Sequence, residues 1–554
     1  MSELKKTVDT TATTAIATAM TVDVLLRRAD GTACLGIVDF PPQLRELEVS
    51  SVVHDSRAVT PGSLFFAIEG YASDGHDYAA AALKAGAVAV VAQRISEGME
   101  DAANSFILVE SSRIALACAA ATFYRQPSRE LNISGVTGTN GKTTTIYLMD
   151  SIARAAGEQS GVIGTVESKY NLHPPSSTMQ NMGQDIVQGE EQSEYTGLPE
   201  ECAHNSLTTT PDALQLQSLL AEMRDAGVQS VAMEVSSHAI DMHRVEQTSF
   251  AVVAFTNLSQ DHLDYHHTME EYQRVKERLF SDFETRARVI NIDDSVGAGL
   301  AARLKNEGVE IICVGMNQPE ADTLSLDLSA TELVQGSHIT EFLLTTPSGS
   351  ARVSFPLVGK YNVENALVAA GCAWARGISV EVIADGLSKA AQVPGRLEQV
   401  EAGQNFKVFV DYAHTPDALS TALAAVREQT TGRVIVVFGC GGDRDPSKRP
   451  LMGQAACTSS DYVIVTSDNP RSENPTNIVA DVLEGLSTRQ ENCDAIVDRR
   501  EAIFHAVAIA KEGDSILIAG KGHEDYQIFA DHTVHFDDRE VAREALECIK
   551  GIGR

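Results

Sequence analysis

Residues 134 to 146 read Ser-Gly-Val-Thr-Gly-Thr-Asn-Gly-Lys-Thr-Thr-Thr-Ile, a glycine-punctuated run that follows an apolar stretch and precedes a helical pattern. Such a run is a phosphate cradle. Gly135, Gly138 and Gly141 would let the backbone turn its N–H groups inward, Lys142 brings a point charge, and the Thr143 hydroxyl can ligate magnesium. Gly138, Thr139, Asn140, Gly141, Lys142, Thr143 and Thr144 are therefore expected to bind ATP. Val136 stands where a strict P-loop has its first glycine, so the spacing is Gly-x-x-Gly-x-x-Gly-Lys-Thr.

Two further clusters carry chemistry. MEVSSH places Glu234 at the end of an apolar strand, where its carboxylate can take a second face of a magnesium ion bound through Thr143. FTNLSQDHLDYH then packs Asn257, Asp261, His262, Asp264 and His266 into one short stretch after another strand, with His262 the expected metal ligand. Lys276 follows on the amphipathic run EEYQRVKERLF, where pattern alone makes it one more solvated lysine.

These residues need sheets to hold them. At 554 residues the chain exceeds what a single core supports, and about three domains are expected. Residues 1–20 read as a flexible lead-in and 21–130 as a small α/β unit with apolar runs SLFFAI, AVAVVA and FILVE. The span 131–393 carries the cradle and the parallel-sheet signals VQSVAMEVSSH, SFAVVAFTNLS and RARVINIDDS. Residues 167–206, rich in Pro, Ser, Gln and Glu, read as a loop or disordered insertion. Pro394-Gly395-Arg396 opens 394–554, where KVFVDYAH, RVIVVFGC, DYVIVTSD and SILIAG form a second set of α/β strands, each leading into polar loops at the strand C-termini.

Composition narrows the class. No apolar run approaches the 18 or so residues that span a bilayer, and the opening segment lacks a signal-peptide core, so a cytoplasmic protein is expected. A formal net charge of −32 disfavours nucleic acid and anionic membranes, leaving anionic small molecules to be met by local Arg and Lys. Nine cysteines show no Cys-x-x-Cys spacing and receive no role. The expected partners are small-molecule substrates of a monomer.

GVTGTNGKTTT, MEVSSHAIDMHRV, FTNLSQDHLDYH, YNVENALVAA, PGRLE, DYAHTPDAL, FGCGGDRDPSKRPLMG, DNPRSENP and GKGHEDYQ follow one another as in the Mur ligase family of peptidoglycan synthesis, which the chain resembles over nearly its whole length. The resemblance implies three domains, with a central P-loop ATPase-like parallel sheet and a C-terminal Rossmann-like unit. It also implies an ATP-dependent amide ligase working through an acyl phosphate, with Lys142, Lys276 and His262 as the catalytic set. Lys276 would be carbamylated by carbon dioxide to an N6-carboxylysine, and Thr143, Glu234, His262 and Lys276 would hold magnesium. Asn362, Arg396 and Asp411 would meet the ATP purine and ribose.

The nucleotide dipeptide UDP-N-acetylmuramoyl-L-alanyl-D-glutamate would rest on Ser56, Tyr71, Ala72, Ser73, Thr209, Thr210, Ser236 and Arg244. Met242 stands where some relatives carry glutamine. Asp468, Asn469, Pro470 and Arg471 resemble the family's DNPR motif, whose arginine would fork onto the far carboxylate of meso-diaminopimelate, with Arg444, Gly520 and Glu524 completing that pocket. L-lysine or another diamino acid as the amine, a sister ligase such as the D-alanyl-D-alanine-adding or folylpolyglutamate-type enzymes, and an ATP-binding regulatory switch remain the alternatives.

Overall fold

A computed structural model describes residues 20–28, 30–34, 36–70, 73–172, 200–204, 208–317, 324–336, 339–486 and 492–552. The chain divides into two compact units. One comprises the residues up to Glu130 with Pro211–Glu222 and Met242–Thr248; the other comprises Leu131–Thr210, Met223–Asp241 and Ser249–Arg554.

The first unit is built on a five-stranded sheet in the order Ile37–Asp39, Phe106–Val109, Ala89–Ala92, Ser63–Phe66, Ser51–Val53, parallel apart from the first pair. Side-chain alternation sorts it into two layers. Leu64, Phe66, Val91 and Ile107 pack with Ala115 and Ala119 of the helix Ser112–Phe123, while Phe65, Val90 and Phe106 pack with Ala79 and Ala82 of Ala79–Ala85.

The second unit holds two larger sheets. Eleven strands form the first, and at its centre Asn132–Thr137 pairs in parallel with Ser230–Glu234 on one side and Phe250–Phe255 on the other. The chain leaves Asn132–Thr137 through helix Lys142–Ala155 and returns as Ser160–Ile163, beyond Ser230–Glu234, so the strand order reverses beside the cradle. Such a switch point opens a crevice at the strand C-termini. The six-stranded second sheet runs Glu398–Gln399, Lys407–Asp411, Ser515–Ala519, Val434–Phe438, Tyr462–Val465, Cys493–Ala495, parallel except for its first pair. Helices cover both faces, as continuous Val, Ile and Leu strands require.

The expectation of a structureless insertion over 167–206 fails at both flanks. Ser168–Leu172 and Glu200–His204 are strands that pair antiparallel and extend the eleven-stranded sheet at its edge; residues 173–199 and 205–207 lie outside the described residues. Tyr170 anchors this pair in the core at 4% exposure.

One buried ion pair fastens the smaller sheet. Arg499 and Asp538 both have fully buried side chains. The guanidinium donates to Asp538 Oδ1 at 2.8 Å and Oδ2 at 2.7 Å, to Ala519 O at 2.9 Å and to Ser467 O at 3.3 Å. It thereby ties the end of strand Ser515–Ala519 and the loop after Tyr462–Val465 to the final helix, Asp538–Ile552. No helix among the described residues is long and apolar enough to cross a membrane.

Candidate active site

Strand Asn132–Thr137 ends where the loop 138–141 begins, and the helix Lys142–Ala155 starts without a side-chain cap. Its first-turn N–H groups and the positive end of its dipole are thus left to an anion. Gly138 and Gly141 have φ of +146° and +85°, and Cβ atoms there would stand 1.9 Å from Thr256 Oγ1 and 2.1 Å from Asn365 Oδ1. Gly135 is different from what its spacing suggests. It lies inside the strand, where a Cβ would meet the Phe250 ring at 2.7 Å, so it serves sheet packing and not the loop. Gly141→Ala combines a clash with a left-handed backbone; thermal denaturation should show a loss of about 1–3 kcal/mol, and ATP binding should weaken with it.

The loop is held from several sides. Lys142 Nζ folds back to donate to Gly138 O at 3.0 Å and Thr139 O at 2.9 Å. Thr256 Oγ1 donates to Asn140 O at 2.7 Å, and Asn140 N donates to Asn257 Oδ1 at 2.9 Å. Asn140 Nδ2 also reaches Asp417 Oδ2 at 3.2 Å, joining the cradle to the second sheet. Thr144 is buried in the first turn behind Thr143.

Thr143 Oγ1 donates to Glu234 Oε1 at 2.9 Å, and Arg396 Nη2 donates to Thr143 Oγ1 at 2.7 Å. Glu234, 1% exposed, also accepts from Thr165 N at 2.8 Å and Thr165 Oγ1 at 3.1 Å. Among the described residues no group of three or more His, Cys, Asp or Glu side chains is placed to hold a metal ion. The hard oxygens of Thr143 and Glu234 nevertheless suit magnesium, which takes few protein ligands and fills its shell with phosphate oxygens and water.

Lys276 is not a solvated lysine. It lies on the buried stripe of helix Met269–Ser281 with Tyr272, Val275, Leu279 and Phe280, is 1% exposed, and donates to Gly138 O at 2.8 Å. Burial, with the nearby charge of Lys142, drives its amine well below the usual lysine range. Its Nζ sits 4.5 Å from the Tyr272 ring centroid. His262 takes a left-handed backbone with φ of +54° at the start of the turn Leu263–His266, and its ring stands edge-on to His238 with centroids 4.8 Å apart. Desolvation lowers His262 to about 3 against the pull of Asp261, so the imidazole is neutral and able to donate a lone pair. Burial alone would raise Asp261, but His262, His414 and Lys448 hold it at about 2.

Asp261, His262 and His238 line one cleft with Arg444, Asp468, Asn469, Arg471, Gly520 and Glu524 from the loops of the second sheet. Six of the seven residues expected to bind the amino acid thus meet there, Pro470 being outside the lining. Arg471 has φ of +51°, and its Nη1 donates to Gly442 O at 2.7 Å. Glu524 Oε2 accepts from Asn469 Nδ2 at 2.8 Å and Lys521 Nζ at 3.0 Å. Lys521 was not legible in the sequence; neither were Arg499 and Asp538.

The residues expected at the adenosine behave differently. Asn362 Nδ2 donates to Val358 O at 2.8 Å, and Asp411 accepts from Leu397 N at 2.7 Å and Ala413 N at 2.8 Å, so both already brace turns. Arg396 lies over the Tyr412 ring at 4.7 Å, and its buried Nε has no acceptor.

For the nucleotide dipeptide, Thr210 Oγ1 donates to Glu234 O at 2.8 Å and accepts from Ser236 N at 3.2 Å, while Thr209 Oγ1 lies within hydrogen-bond distance of Thr165 Oγ1 at 3.0 Å. In the first unit Ser56 opens a single turn capped by Asp55, whose carboxyl the Arg57 guanidinium lowers to about 2. Ser73 O closes a turn onto Gly70 N at 3.0 Å, and Arg244 Nη2 stands 3.5 Å from Met242 Sδ. Tyr71 and Ala72 lie outside the described residues.

Three family models match the chain: the Mur ligase family, catalytic domain, at 48–124; the Mur ligase middle domain at 136–373; and the Mur ligase, glutamate ligase domain at 395–522. A Bacillus cereus protein named UDP-N-acetylmuramoyl-L-alanyl-D-glutamate–2,6-diaminopimelate ligase is 42% identical over 92% of this chain and 96% of its own. A Solibacter usitatus protein of the same name is 43% identical over 92% and 96%. A solved structure under that name superposes with a TM-score of 0.61 at 31% identity, covering 93% of this chain and 98% of the other.

Proposed function

The chain belongs to the Mur ligase family, and on that premise we propose that it joins meso-diaminopimelate to UDP-N-acetylmuramoyl-L-alanyl-D-glutamate at the expense of ATP in peptidoglycan precursor synthesis. The observation that carries this reading is the single cleft shared by His262 and Asp261 of the phosphate-binding sheet and Arg471, Arg444, Asp468 and Glu524 of the second.

A free carboxylate resists attack by an amine, so it is first phosphorylated. The loop 138–141, the uncapped helix and Lys142 hold the ATP phosphates and offset charge on the γ-phosphoryl as it transfers to the dipeptide's terminal carboxylate. Thr143, Glu234, His262 and a carbamylated Lys276 would hold magnesium, which would supply electrostatic stabilisation of the phosphoryl oxygens. Arg471 and Arg444 take the far carboxylate of the amino acid and Glu524 with Asp468 its ammonium, which leaves the second amine to attack the acyl phosphate. Collapse of the tetrahedral intermediate releases inorganic phosphate and leaves an amide.

The lowered basicity of the buried Lys276 amine supports carbamylation, since only an unprotonated amine adds to carbon dioxide, releasing one proton and leaving an anion. Nine free cysteines support a cytoplasmic setting. Phosphate release from ATP with the nucleotide dipeptide, comparing meso-diaminopimelate with L-lysine, tests the whole reading. Release with diaminopimelate alone is expected. Release with lysine alone would transfer the specificity, and release without either amine would remove the ligase.

A further inference from the structure

Lys521 is the one lysine of the second sheet's loops with no exposed surface, at 0% among the described residues, and nothing in the reaction outlined above uses it. It follows strand Ser515–Ala519 and turns away from solvent beneath the cleft. Its Nζ donates to Glu524 Oε2 at 3.0 Å and to Asn469 Oδ1 at 3.3 Å, and stands 5.3 Å from the Tyr526 ring centroid. Asn469 completes a triangle by donating from Nδ2 to the same Glu524 oxygen at 2.8 Å, and its Oδ1 accepts from Ile528 N at 3.0 Å. Both partners of Lys521 line the cleft, whereas Lys521 itself does not.

We propose that Lys521 is a positioning residue that keeps Glu524 ionised and aimed, so that the cleft can recognise the ammonium group of a diamino acid. This deepens the reading given above and rests on it.

A carboxylate buried beside another carboxylate tends to take up a proton, and a protonated acid loses its attraction for an ammonium. Burial and Asp468 both push Glu524 upward, and Lys521 pulls it down by charge and by hydrogen bond. The other groups facing Glu524 are Asn469, which donates to it, Tyr412 and Tyr526, and at longer range the buried Arg499, itself neutralised by Asp538. Arg471 also lines the cleft, where it serves the opposite charge of the ligand. Lys521 is thus the cation in direct contact with Glu524. Too deep to touch the ligand, it acts through Glu524's charge and through the orientation of Asn469.

Lys521→Met keeps the stem and removes the charge. Steady-state kinetics should show the KM for meso-diaminopimelate raised about tenfold or more, with the KM for ATP and for the nucleotide dipeptide within about twofold of the unmodified chain. The rise should grow as pH falls from 8.5 to 6.5, because Glu524 then takes up a proton. In a Glu524→Gln background the same substitution should add less than about twofold. An unchanged diaminopimelate KM, or a rise equal at every pH and undiminished in the Glu524→Gln background, would overturn the proposal. If Lys521→Met does not fold, the infrared difference between the unmodified chain and Glu524→Gln at pH 7 decides: a carboxylate band is expected, and a protonated carboxylic acid band overturns it. That difference spectrum needs no turnover, so it stands apart from the ligase reading, which fails when no amide forms with any amine.

Discussion

Lys142→Ala is expected to lower kcat by about three orders of magnitude, the upper range for removing one group that stabilises developing charge. Two losses coincide. The γ-phosphoryl loses its cation, and Gly138 O and Thr139 O lose the ammonium that bridges them, so the loop's N–H groups are no longer held inward. Burial already lowers the Lys142 amine, so the free chain gives up part of its protonation advantage and recovers it only opposite phosphate. Lys142→Arg should not rescue the rate, because a planar fork cannot fold back over two adjacent carbonyls as an ammonium does. Stopped-flow ATP binding with single-turnover phosphate release separates the two losses. A variant retaining more than a tenth of the rate would show that this amine is not the phosphate's partner.

The second large effect is on selectivity. Arg471→Ala should cost about 2–5 kcal/mol in kcat/KM for meso-diaminopimelate, the range for removing one partner of a buried charge pair. Among the described residues the Arg471 guanidinium donates from Nη1 to Gly442 O, a bond that holds the fork while Arg471 lines the cleft. The backbone helps, since φ of +51° and the bond from Arg471 N to Ile528 O at 3.0 Å fix the direction in which the side chain leaves the chain. L-lysine, which lacks the second carboxylate, should respond by less than about threefold to the same substitution. Competition between the two amines in one reaction, read by mass of the product, measures that ratio directly. Equal losses for both would mean that Arg471 acts on folding or on the nucleotide.

Much of this site was legible in the chain because its parts are local. The cradle, Glu234 at a strand end and the Asp-His-Leu-Asp run declare themselves within a dozen residues, and strand C-termini in parallel sheets are where ligands gather. Lys276 could have been read as buried from spacing alone, since Tyr272, Val275, Leu279 and Phe280 place it inside their own stripe. Gly135 was misleading because a glycine in a strand and one in a loop look alike until the neighbouring Phe250 is known. The strands at Ser168–Leu172 and Glu200–His204 escaped because few of their residues are apolar and each needs the other to exist. Lys521 and Arg499 escaped for another reason. Asp538, the counter-charge that explains the burial of Arg499, lies 39 residues away; Lys521 finds its counter-charge Glu524 three residues on, but Asn469, which joins the two, lies 52 residues back, and no period reports partners so distant.

The centre of the eleven-stranded sheet also sets an order of events during synthesis. Strand Asn132–Thr137 emerges long before its neighbours Ser230–Glu234 and Phe250–Phe255, and longer still before Lys276, whose amine closes on Gly138 O. At translation rates of ~5–20 residues per second the cradle waits about 7 to 28 seconds for Lys276, and longer for Asn365, Arg396 and Asp417. A nascent chain halted short of Lys276 carries the full phosphate-binding sequence without the bond from Lys276 to Gly138 O and without Asn365, the wall of Gly141, so sequence and site are separated in time.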